Sequence, residues 1–214
     1  MSYQRIVISS GHGKYVRGAS GIIDEVDEAR RVVEALADQL RLRGAMVNVF
    51  HDDVSTSQSE NLNRIVDHHN DQERELDISV HFNAFEQVSK PMGTEVLYVT
   101  QAALAGQLSE VIATAGHFIN RGGKQRTDLM FLNQTDMPSV LLEVCFVDSE
   151  ADCILYDDNF DAIIYDLATA LAGPLDIDET VPPPEVAAPL PRIDIEVSGE
   201  VIVFINGQQI GGPS

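Results

Sequence analysis

The stretch Leu76-Asp77-Ile78-Ser79-Val80-His81-Phe82-Asn83-Ala84 decides the reading of this chain. An apolar, strand-like run ends abruptly in a histidine and an asparagine. In an open α/β sheet, ligands sit just outside the carboxyl ends of the strands. Two other runs end the same way. Ile6-Val7-Ile8-Ser9 leads into Gly11-His12-Gly13, and Ser139-Val140-Leu141-Leu142 leads into Glu143. Three strands that deliver two histidines and a carboxylate toward one edge predict a metal site, with zinc as the ion.

Working outward, strand-like and helical segments alternate. Residues 5–9, 46–50, 76–81, 94–99 and 139–144 read as strands, and 128–132 as a short one. Residues 25–43 carry Val26, Ala29, Val32, Val33, Leu36, Ala37 and Leu40 at helical spacing, closed by Gly44. Residues 60–70, 102–119, 149–155 and 160–171 read as further helices. Such alternation predicts an α/β fold, a mostly parallel twisted sheet with helices on both faces. After Gly173 the composition changes. Pro182-Pro183-Pro184, Pro189 and Pro191 mark a stiff linker. Two short strands around Ser198-Gly199, and a second turn at Asn206-Gly207, predict a short β-hairpin-like tail. The expected organisation is a domain over 1–173, a linker over 174–191 and a tail over 192–214. Too short to fold alone, the tail would pack on the domain, pair with another copy as a homo-oligomer, or await a partner.

The 214 residues carry 34 acidic side chains against 14 basic ones, a formal net charge of −20. That balance disfavours nucleic acid and anionic membranes as partners. No apolar run approaches the ~18 residues that span a bilayer. Two cysteines, Cys145 and Cys153, do not make a disulfide framework. The N-terminus shows no signal-peptide pattern, so synthesis in the cytoplasm followed by release is expected.

His12 and His81 with one carboxylate would leave a zinc ion an open position for water. Glu25 and Glu28, at the start of one helix, are both candidates for that carboxylate, and spacing does not choose between them. Glu143 lies in an apolar strand, where an unpaired carboxylate is costly and points to function. Cys145, two residues on, shares its face by strand alternation and is a remote candidate nucleophile. For His51, His68, His69 and His117 the reading is packing or surface exposure.

These pieces together resemble the zinc-dependent N-acetylmuramoyl-L-alanine amidases of the type 3 family, in particular phage endolysin catalytic domains. The carriers are Ser10-Gly11-His12-Gly13, Glu25 with its helix, and Ser79-Val80-His81-Phe82-Asn83-Ala84. Gly93-Thr94-Glu95-Val96, Asn120-Arg121-Gly122 and 138–146 add to them. The resemblance spans residues ~5 to ~173, one domain. It implies His12, Glu25 and His81 as zinc ligands, Glu25 being preferred because it opens the long helix. It also implies Glu143 as the general base and acid. The implied substrate is the amide between the lactyl group of N-acetylmuramic acid and L-alanine in peptidoglycan, cleaved by a zinc-water mechanism. Asn83 and Arg121 are candidates for holding substrate polar groups. The chain departs from the family pattern where Ser9-Ser10 replace Asp-Pro, and where Ala29 stands in place of an asparagine. A zinc exopeptidase is the alternative, with Arg17, Arg121 or Arg126 receiving a terminal carboxylate. A non-catalytic wall-binding virion protein is the other.

Overall fold

The structure is a computed structural model that describes residues 2–175, 193–197, 201–205 and 208–211. The first unit carries six strands: β1 (Arg5–Ser10), β2 (Met46–Phe50), β3 (Leu76–Asn83), β4 (Thr94–Tyr98), β5 (Asn120–Gln125) and β6 (Ser139–Phe146). Interleaved are α1 (Glu25–Leu42), α2 (Gln58–Asn70), α3 (Ala102–Gly116), α4 (Met130–Gln134) and α5 (Glu150–Ala172). The strands form one sheet in the order β2-β1-β3-β6-β4-β5. Strands β2, β1, β3 and β6 run parallel; β4 joins β6 antiparallel and pairs in parallel with β5. The sheet is therefore mostly parallel, with a reversed pair at one side.

Helices cover both faces. On one face α1, α3 and α5 bury the larger core, which includes Leu36, Ile78, Leu108, Leu142 and Leu167. On the other, α2 and α4 bury Ile65, Phe131 and Leu132 against Leu97 and Leu141. Helix α1 starts at Asp24, whose carboxylate accepts from Val26 N at 3.0 Å and Asp27 N at 3.3 Å. Its apolar residues fall on the buried face, as their spacing predicts. After it, Gly44 turns the chain at φ 85°, where a side chain would be strained.

Three local readings are corrected. Residues 128–132 do not form a strand; the short helix α4 stands there, because Phe131 and Leu132 bury against Ile65 and Leu141. Strand β5 was not expected, since Asn-Arg-Gly-Gly-Lys-Gln has no apolar alternation. It lies at the sheet edge and pairs through its backbone with β4. Its Gly123 sits where a Cβ would come within 3.2 Å of Ala105. The two helices expected over 149–171 are one, α5. Cys153, Tyr156, Phe160, Ile163, Ile164, Leu167 and Leu171 keep one unbroken register of buried or core-packed side chains, so Asp157-Asp158-Asn159 is only a solvated patch on its far side.

The chain divides into two compact units, Met1–Asp176 and Ile177–Ser214. The second holds β7 (Ile193–Val197), β8 (Val201–Ile205) and β9 (Gln208–Gly211) in an antiparallel sheet of three strands. The linker from residue 176 onward and both turns lie outside the described residues.

Candidate metal centre

Three elements deliver the centre. Gly11 N donates to Val80 O at 2.9 Å as the chain leaves β1, so the loop that carries His12 starts beside β3. Strand β3 supplies His81, and the first residue of α1 supplies Glu25. One ligand atom from each of His12, Glu25 and His81 lies within 4.8 Å of the others. Glu25 Oε1 lies 3.0 Å from His81 Nδ1 and 3.5 Å from His12 Nε2. The same oxygen accepts from Phe82 N at 3.1 Å, and Oε2 accepts from Ala19 N at 2.6 Å. Glu28 points elsewhere, accepting from Tyr156 OH at 2.9 Å and from Arg31. Three helical positions, just under one turn, thus separate the two glutamates that spacing alone left open.

Electrostatics fit a buried cation. Burial opposes charge on Glu25, but the hydrogen bond from His81 and the two nearby imidazoles outweigh it and hold the carboxyl below its usual range. Burial and the neighbouring His81 push His12 down, toward its neutral, ligating form. Burial acts against the charged form of His81 as well; Glu25 and Glu143 overcome it and raise its pKa. His12 Nδ1 is buried without a hydrogen-bond partner. Two glycines make the room. A Cβ on Gly11 would lie 1.7 Å from His81 Nε2, and one on Gly18, at φ 68°, 2.4 Å from Glu25 Oε2. Two imidazoles and a carboxylate, close together and mostly shielded, are a donor set that zinc accepts.

Glu143 stands directly opposite His81 in the parallel β3–β6 register. Its Oε2 is buried with no hydrogen-bond partner. Burial raises its carboxyl to about 7, reinforced by Glu25 and Glu95 and opposed by His81. Glu95, which sequence reading did not single out as a site residue, pairs with Glu143 across the antiparallel β4–β6 ladder. It also accepts from Arg121 Nε at 2.7 Å and from Asn83 Nδ2 at 3.2 Å. Asn83 and Arg121 are thereby joined through one carboxylate, and neither lines the cleft that holds Glu143. That cleft, of 440 Å³, runs over His12, His81 and Glu143 between α2 and the segment from Arg126 to Phe131.

The remaining candidates fall outside the centre. Cys145 does not share the face of Glu143: a slip in the β3–β6 register, with His81 opposite Glu143 but Asn83 opposite Phe146, turns it into the main core. Burial raises its thiol well above the usual range, which removes it as a nucleophile. His69 is fully buried between Asp77 Oδ1 at 2.8 Å and Ser9 Oγ at 2.9 Å, with Arg74 on the same aspartate. That row has the order of a nucleophile relay, but Ser9 is itself buried and no substrate reaches it. His51 links Ser10 Oγ at 2.9 Å to Glu34 at 3.2 Å. The serines that depart from the family pattern thus anchor the base of the His12 loop to α2 and to the loop after β2.

A mostly parallel α/β sheet with two histidines and a glutamate gathered at one edge defines a candidate metallohydrolase. Residues 6–172 match the N-acetylmuramoyl-L-alanine amidase family, and the chain belongs to it. It is 29% identical over 199 residues to an uncharacterized 38.4 kDa protein of Clostridium perfringens, covering 90% of this chain and 56% of that one. It is likewise 29% identical to the probable cell wall amidase LytH of Staphylococcus aureus, over 72% of this chain and 52% of the relative. The chain spans about half the length of the curated relatives it matches. Among solved structures, the catalytic domain of the CD27L endolysin targeting Clostridia difficile superposes with a TM-score of 0.71 at 25% identity. That match covers 78% of this chain and 96% of the endolysin domain.

Proposed function

We propose that this chain is a zinc-dependent peptidoglycan hydrolase of the endolysin type. It would cleave the amide between the lactyl group of N-acetylmuramic acid and the L-alanine of the stem peptide. The observation that carries the reading is the convergence of the His12, Glu25 and His81 ligand atoms, with Glu143 opposite His81 and holding a buried oxygen that has no partner. His12, Glu25 and His81 would hold the ion. Zinc, when bound there, supplies Lewis acidity that polarises an amide carbonyl and acidifies water.

Glu143 does the proton work. Burial raises its carboxyl, and a cation held by His12, Glu25 and His81 would draw it back toward the carboxylate that accepts a proton. It takes a proton from the attacking water and returns it to the departing L-alanine amine. Burial of its unpartnered oxygen keeps bulk water from competing for that proton. Asn83 and Arg121, both held by Glu95, lie outside this cleft, so any hold they take on substrate polar groups would be beyond its wall. Peptidoglycan is the proposed partner, and the cell wall is the proposed site of action. Among the described residues no helix is long and apolar enough to cross a membrane.

Digestion of purified peptidoglycan, with and without chelator, tests the reading. Chelator-sensitive release of new N-terminal L-alanine is expected. A free terminal amino acid would instead identify an exopeptidase, and no release at all a wall-binding protein.

A further inference from the structure

The cleft has a chemical bias. Among the described residues that line it, Arg126 is the only lysine or arginine, in a chain with a formal net charge of −20. Its position is fixed twice. Arg126 N donates to Tyr98 O at 2.8 Å, tying its backbone to the end of β4. Asp128 then grips the guanidinium in parallel, Nε to Oδ1 and Nη2 to Oδ2, both at 2.8 Å. Nη1 makes no protein hydrogen bond among the described residues. The two other arginines that could receive a carboxylate are differently placed. Arg17 is held by Asp24 and Asp27, Arg121 by Glu95, and neither lines the cleft. A guanidinium paired along one edge leaves its remaining donors free toward an anion.

We propose that Arg126, braced by Asp128, docks a carboxylate on the peptide side of the scissile amide and so selects the stem-peptide chemistry the cleft accepts. This inference rests on the amidase reading. On the sugar side of that bond the lactyl carboxyl is consumed in the amide itself, so it offers no carboxylate. On the peptide side, the residue after L-alanine carries either a free carboxylate or a carboxamide. The carboxylate is the committed ligand. Against the repulsion of an acidic protein, one oriented cation decides whether a negative peptide enters.

The test uses the full-length, metal-loaded protein and three peptides that begin with L-alanine. One has a carboxylate on the second residue and a blocked C-terminus. One has a carboxamide there and a free C-terminus. One has neither carboxylate. Calorimetry reads binding without any turnover, and the matching muramoyl peptides read KM. The first peptide should bind about tenfold more tightly than the other two. Arg126→Ala should erase that difference by weakening the first peptide alone. Arg126→Lys, which keeps charge but loses the fork, should retain part of it, and circular dichroism checks that both variants fold. A preference that survives in Arg126→Ala, that follows the C-terminus, or that is absent from the parent protein overturns the proposal. If no muramoyl peptide is cleaved, the amidase reading fails and the binding comparison alone decides the role of Arg126.

Discussion

Single atoms govern the centre. Gly11 is glycine because the His81 ring fills the space a side chain would need, with Nε2 at 1.7 Å from the Cβ position. Its φ is not in the left-handed region, so alanine is tolerated by the backbone and refused only by the ring. Gly11→Ala should therefore fold with a melting temperature within a few degrees of the parent. It should also bind zinc weakly and lose ~10²-fold in turnover, the scale expected when a reacting group shifts by about 1 Å. Metal analysis after dialysis against a weak chelator checks this; full zinc content would refute the packing argument. Glu143→Gln keeps the shape and removes the proposed proton acceptor. It should retain zinc and lose ~10²–10⁴-fold in kcat. Full activity with zinc bound would remove Glu143 from the mechanism.

Elements place those atoms, and the His12 loop shows how. Asp52, just past β2, is buried beneath it. Its backbone carbonyl accepts from Lys14 N at 2.8 Å, and its Oδ2 from Asn61 of α2 at 2.9 Å. Oδ1 accepts from Val54 N at 3.1 Å and Ser55 N at 3.2 Å. Burial would raise this carboxyl, but the hydrogen bonds outweigh it and hold its pKa at about 2, against an ordinary 3.8. A depressed carboxylate stabilises the fold fully above its unfolded pKa and loses that contribution as pH falls through the folded one. Asp52→Asn should thus cost about 2 kcal/mol at pH 6, and less than half of that near pH ~2.5. Urea titrations at the two pH values measure the difference; a cost independent of pH would show that Asp52 is not ionised in the fold.

At the scale of the whole molecule, charge dominates. A formal −20 repels wall polymers of the same sign, and salt screens that repulsion. Raising ionic strength from ~0.01 M to ~0.15 M shortens the screening length from ~30 Å to ~8 Å. Clearing of walls rich in anionic polymers should accelerate several-fold over that range, while hydrolysis of a soluble muropeptide should not. Turbidity and product assays run side by side measure both. Slower wall clearing at higher salt would mean that local contacts, rather than net charge, control access.

The sequence by itself determined the periodic elements and the polar strand ends. Helix α1 was legible because burial of one face enforces its spacing, and His81 and Glu143 because polar groups interrupt apolar strands. Those are local signals, written within a few residues. Only the tertiary structure decided the rest. Strand β5 has no apolar alternation, since an edge strand can be held by backbone pairing to one neighbour. Segment 128–132 has a strand's composition but buries its apolar residues through α4. Glu25 and Glu28 differ by one turn of the same helix, and the packing of α1 against the sheet is what aims Glu25 at His81 and Glu28 at Tyr156. Glu95 gains meaning from strand register, and the Arg126–Asp128 pair from the cleft wall it shares with distant residues. Which polar group faces which is fixed by contacts far apart in the chain, and no local pattern encodes them.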